Sequence, residues 1–144
     1  MKKSTRFKPI QQLTESRKQD AAKALGMSNQ RVSEQEQRLR ELQQYRIEYQ
    51  RHYQQRGQAG ISVAKLLELQ RFLLNLDRAI AQQQRAVEMV QQEREHKRSL
   101  WQQAHGKNLA MDKVVERYRS DEDYLASRRE QKENDEMAQR KRDK

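Results

Sequence analysis

From Leu66 to Leu125 the chain repeats in sevens. Alternating steps of three and four residues visit Leu66, Leu69, Leu73, Leu76, Ile80, Gln83, Val87, Val90, Arg94, Lys97, Trp101, Ala104, Asn108, Met111, Val115, Tyr118, Glu122 and Leu125 with no slip of phase. A repeat of 3.5 residues sustained this far requires a left-handed coiled coil, because only slightly under-wound helices keep such a seam turned toward a partner. The first half holds a matching seam of Ala21, Leu25, Ser28, Val32, Gln35, Leu39, Leu42, Arg46, Tyr49 and Tyr53. The expected fold class is all-α.

The two seams are separated by RGQAGIS, residues 56–62, where Gly57 and Gly60 supply turn chemistry. Ser62 fits the N-cap of the second helix, and Ile61 and Leu66 are spaced as a hydrophobic staple. Pro9 is tolerated near a helix start. The expectation is one coiled-coil domain over 1–144: helix one at about 9–56, a turn at 57–61, and helix two at about 62–140. A short connection makes the two helices antiparallel neighbours. An antiparallel two-helix hairpin in constant register sets Tyr53 against Leu66, Tyr49 against Leu69, Leu42 against Leu76, Leu39 against Ile80 and Val32 against Val87. The same register puts Gln35 opposite Gln83, where two amides can satisfy each other. Further from the turn the layers weaken, with Leu25 facing Arg94. The second helix is the longer, and in this register helix one runs out opposite about residue 108. An overhang from about 109 then leaves Leu109, Met111, Val115, Tyr118 and Leu125 uncovered, a stripe that calls for a partner.

Composition removes several function classes. The apolar fraction is 33%, with four Gly and one Pro, too little for a layered core enclosing a reaction site. The sequence has no Gly-rich phosphate loop and no nucleophile elbow. His52, His96 and His105 are scattered, and there is no cysteine, so no catalytic residue, metal site or cofactor is expected. The chain reads as a non-enzyme. No apolar run is long enough to span a membrane, and MKKSTRFKPIQQL carries no apolar signal core. The expected location is the cytoplasm. The net charge is +10, but the charges alternate in sign along most of the chain. Local excess is confined to Lys2, Lys3, Arg6 and Lys8 and to Arg140, Lys141, Arg142 and Lys144. A solvated helical surface reads this way, and no groove-reading motif accompanies it, so nucleic acid is not the expected partner.

One stretch exceeds the needs of its seam. LLELQRFLLNLDRAI, residues 66–80, adds Leu67, Phe72, Leu74 and Ala79 to the heptad positions, and helix one adds Tyr45 and Ile47. Phe72, Leu76, Ala79 and Gln83 step by four, three and four, as do Arg38, Leu42, Tyr45 and Tyr49. In the antiparallel register these stripes line one side of the hairpin. Flanking residues of this kind either widen a seam or form a docking face. A two-stranded hairpin has no third layer to cover them, which favours docking. Leu67 and Leu74 lie on another side and have no assigned role.

These residues also carry a family resemblance. Leu42-x2-Tyr45-x3-Tyr49, the Gly-containing turn, Phe72-x3-Leu76-x2-Ala79-Ile80 and Asp135-Glu136-x-Ala138-Gln139-Arg140 resemble the bacterial flagellar type III export protein family FliJ. The resemblance implies a non-enzymatic component of flagellum biogenesis and motility: a coiled-coil stalk similar to the central stalk of rotary ATPases. It implies binding to the hexameric flagellar export ATPase by the end bearing the chain termini, and so a role for Met111, Val115, Tyr118 and Leu125. It implies binding to the cytoplasmic domain of the export-gate membrane protein through Leu42, Tyr45, Tyr49, Phe72, Leu76 and Ala79. Arg38 and Gln83 depart from the commoner family pattern. Export chaperones are further partners in the family. The free chain is expected to be a monomer, cytoplasmic and peripherally associated with the inner membrane at the flagellar basal body. The alternative from charge alone is an architectural or nucleic-acid-binding basic coiled coil.

Overall fold

Two α-helices account for the fold in a computed structural model: α1, Lys3–Gly57, of 55 residues, and α2, Val63–Arg142, of 80 residues. They pack against each other, and the second is longer, so the all-α hairpin expected from the heptads is the observed architecture. The structure describes residues 1–57 and 60–143. Of the turn expected at 57–61, Gln58 and Ala59 lie outside the described residues. Gly60 has φ 85°, a left-handed conformation that glycine adopts without a Cβ clash. Ser62 acts as the N-cap of α2: its hydroxyl accepts a hydrogen bond from the Lys65 N–H at 3.4 Å, and its carbonyl accepts the Leu66 N–H at 3.0 Å.

The chain divides into two compact units, Lys23–Ser99 and Met1–Ala22 with Leu100–Lys144. A two-stranded coil favours such division, because each residue finds its neighbours within a few layers along the axis. In the unit Lys23–Ser99 the core is Val32, Leu76 and Val87, with Ser28 also buried. The anticipated amide layer is present: the Gln83 side-chain N–H donates to Gln35 Oε1 at 2.8 Å and to the Gln35 carbonyl at 3.0 Å. An amide shifted to face Leu would lose those bonds, so this pair ties the two helices to one register. Ion pairs Arg46–Asp77 and Arg31–Glu93 flank the seam. Where the layers were expected to weaken, Arg94 Nε is buried without a hydrogen-bond partner among the described residues.

The unit holding both termini departs from the expected hairpin in two ways. Helix one begins at Lys3 rather than about 9, and Pro9 lies inside it. Pro9 cannot donate to the carbonyl four residues back, a loss usually large enough to break a helix. Here the preceding turns are held by α2. Phe7 stacks on Tyr118 with ring centroids 5.4 Å apart, and the Ser4 hydroxyl and N–H both donate to Glu122. Nor does a constant register hold. Thr14 meets Asn108, Gln11 meets Asp112, and Ser4 meets Glu122. Ten residues of α1 (14 to 4) thus lie along fourteen of α2 (108 to 122). Together the earlier start and the drift carry α1 along α2 as far as Glu122. Of the stripe expected to be uncovered from about 109, Met111, Val115 and Tyr118 are instead covered, Leu109 stays exposed, and every described residue from 123 to 143 is exposed.

Candidate docking faces

The first face lies in the unit Lys23–Ser99. Tyr45 and Tyr49 are one turn apart on α1, and Phe72 reaches them from α2. The Tyr49 and Phe72 rings are 4.3 Å apart and tilted, Tyr45 meets Phe72 edge-on at 6.1 Å, and the two tyrosines are 6.0 Å apart. These are favourable aromatic geometries, and they fix the rings as one cluster rather than three independent side chains. Of the six residues assigned to this face, Leu76 is buried at 7% exposure and belongs to the core beneath it. Leu42, Tyr49, Phe72 and Ala79 are half-buried, and Tyr45 is 48% exposed. The arrangement is a small aromatic platform, backed by Leu76 and open to solvent along Tyr45. A platform of this kind has apolar area and phenolic hydrogen-bonding groups for a protein partner.

The second face lies in the unit with the termini, and here the expected residues separate. Val115 is 3% exposed, and Met111 and Tyr118 are half-buried. All three occupy the seam with α1, so they are not the open stripe expected from sequence; α1 extends over them. Leu125 alone is open, at 54%. Tyr124, at 61%, is a neighbour that heptad reading passes over because it is off the seam. The Arg128 guanidinium lies 6.0 Å from its ring centre, a cation–π distance. Apolar residues off the heptad in so charged a segment were the available signal for it.

Glu122 closes this unit. Its carboxylate accepts the Ser4 hydroxyl at 2.5 Å and the Ser4 N–H at 3.1 Å. That N–H is one of the unpaired donors of the first turn of α1, so the cap is supplied by the other helix. The Ser4 hydroxyl bond first, and then the Ser4 N–H, hold the Glu122 carboxyl below the usual carboxylate range. A carboxyl with a lowered folded pKa contributes its stability above the unfolded pKa of about 4.3 and loses it as pH falls through the folded value. Glu122→Gln is therefore expected to increase hydrogen exchange in the first turns of α1 at pH 7. The difference from the native chain should fade as the pH drops below about 4. A constant difference across that range would show that the carboxylate charge is not what caps α1.

Among the described residues no group of His, Cys, Asp or Glu could hold a metal ion, and no helix is long and apolar enough to cross a membrane. The fold defines a class: a two-helix coiled-coil hairpin with aromatic and apolar side chains left exposed on its surface. Comparison with known proteins narrows this. The family model described as Flagellar FliJ protein matches residues 2–142, and the chain belongs to that family. It is accordingly a structural component of the flagellar protein export apparatus, interacting with other components of that apparatus. No curated protein and no solved structure matches it.

Proposed function

We propose that this chain is a stalk that binds both the hexameric flagellar export ATPase and the cytoplasmic domain of the export-gate membrane protein, helping to couple them. The observation that carries the reading is the Tyr45–Tyr49–Phe72 cluster, a packed set of rings left open on a hairpin with no third layer. It supports Leu42, Tyr45, Tyr49, Phe72 and Ala79 as the gate-facing surface, with Leu76 holding the rings from below. The exposed end of α2 supports the ATPase contact. Tyr124 and Leu125 offer apolar anchors there, and Arg128, Arg129 and Lys132 offer charge to a ring lining of opposite sign. Met111, Val115 and Tyr118 serve that contact by holding α1 to α2 beside it. The protein works in the cytoplasm, peripherally at the inner membrane beneath the flagellar basal body, and is a monomer when free; export chaperones are further partners.

The test is co-elution of the purified chain with each partner separately. Complexes with the hexameric ATPase and with the gate domain are the expected result. Failure to bind either one at micromolar concentration would contradict the coupling role.

A further inference from the structure

On α2 a second strip lies away from the aromatic face. Leu67 and Leu74 stand one heptad apart and are 54% and 52% exposed. Arg71, Arg78 and Arg85 repeat at the same interval and are all exposed. Steps of four and three join them through Ala81, so the six positions share one side of the helix. Leu74 is two residues from Phe72, which turns it away from the aromatic rings. Two arginines at the seam find acids on the other helix: Arg46 pairs with Asp77, and Arg31 with Glu93. Among the described residues Arg71, Arg78 and Arg85 have no ion pair and no side-chain hydrogen bond. The first acid in the progression is Glu88.

Exposed leucines alternating with unpaired arginines at heptad spacing form half of an interhelical seam, with the apolar knobs and the flanking charges of one sign already in place. The charge selects the occupant. A second copy of this strip would set arginine against arginine. A nucleic acid would use the arginines but leave Leu67 and Leu74 in water, and the strip has no aromatic ring for a base to stack on. A flat lipid surface does not track positions that wind with a supercoil, whereas a helix joining the coil does. We infer that Leu67, Arg71, Leu74, Arg78, Ala81 and Arg85 dock an acidic amphipathic helix of a partner protein, which lies along α2 with apolar residues on the leucines and Asp or Glu on the arginines. The six positions are shared with neither the proposed gate-facing residues nor the proposed ATPase-facing residues.

The test uses the full chain and a labelled synthetic helix with Leu at one heptad position and Glu flanking it, read by fluorescence anisotropy. The companion probe replaces each Glu by Lys. The native chain should bind the Glu peptide and not the Lys peptide, with affinity falling as salt rises. Leu67→Ser with Leu74→Ser should weaken binding at least about tenfold. Arg71→Glu with Arg78→Glu should reverse the preference toward the Lys peptide; since all four residues are exposed, helicity and melting should hold. If the leucine pair lowers helicity, the reversal by the arginine pair still decides the matter. Equal binding of the two peptides, no binding of the Glu peptide, or tighter binding to phosphatidylserine vesicles or a 20-base-pair DNA duplex would overturn the inference.

Discussion

Val115→Asp is expected to strip α1 from α2 over the unit that holds both termini. Val115 is 3% exposed, set between the Asn108–Thr14 bond and the Phe7–Tyr118 stack. The bond and the stack are made by uncharged side chains, and the Lys3 ammonium beside them lies over the Tyr118 ring, 5.4 Å from its centre. Burying an unpaired carboxylate costs several kcal/mol even after the group shifts its pKa, comparable to the whole stability of a small unit. The first three turns of α1 carry Pro9 and have little propensity to stand alone. Amides of residues 4–20 should therefore lose their protection from hydrogen exchange, while those around Val32 and Leu76 keep theirs. Leu109→Asp is the control: Leu109 is 45% exposed, and its variant should melt as the native chain does. Equal melting of both variants would mean that α1 does not cover α2 here.

Truncation after Glu122 is the second large expected effect. Every described residue that it removes is exposed, and none of them contributes to the Ser4–Glu122 cap or to the buried seams. The hairpin should melt unchanged. Binding to the export ATPase should fall at least about a hundredfold, because two aromatic or aliphatic anchors of interface type are worth that much together. Retained binding with the native affinity would move the ring contact away from this segment. Substituting Leu125 alone should give a smaller loss in the same direction.

The heptad carried most of the fold in plain view. Every seam position read from sequence on α1 is buried or half-buried, and on α2 every one except Leu125. The Gln35–Gln83 pair was legible because an amide among aliphatic layers needs a specific partner opposite, and antiparallel geometry supplies only one candidate. The start of α1 was not legible. Pro9 is a local signal for a helix end, and it was outweighed by two non-local contacts, Phe7 on Tyr118 and Ser4 on Glu122, that no local propensity encodes. The extent of the overhang depended on that same end and on a constant register that the four contacts from Thr14–Asn108 to Ser4–Glu122 do not keep. As for the aromatic face, sequence spacing brought the right rings together but could not separate Leu76, which supports them, from Tyr45, which is open. The off-seam Tyr124 was missed because heptad positions direct attention to the seam and away from what a bare helix shows to solvent.

The most direct measurement is a titration of the gate protein's cytoplasmic domain with the native chain and with Tyr45→Ala, alongside melting of both. Tyr45 meets its ring neighbours at the longer centroid distances of the cluster, 6.0 and 6.1 Å. A docking face predicts melting within a degree or two and binding at least about tenfold weaker. Unchanged affinity with a clearly lowered melting temperature would contradict the account, and would make the rings an extension of the core.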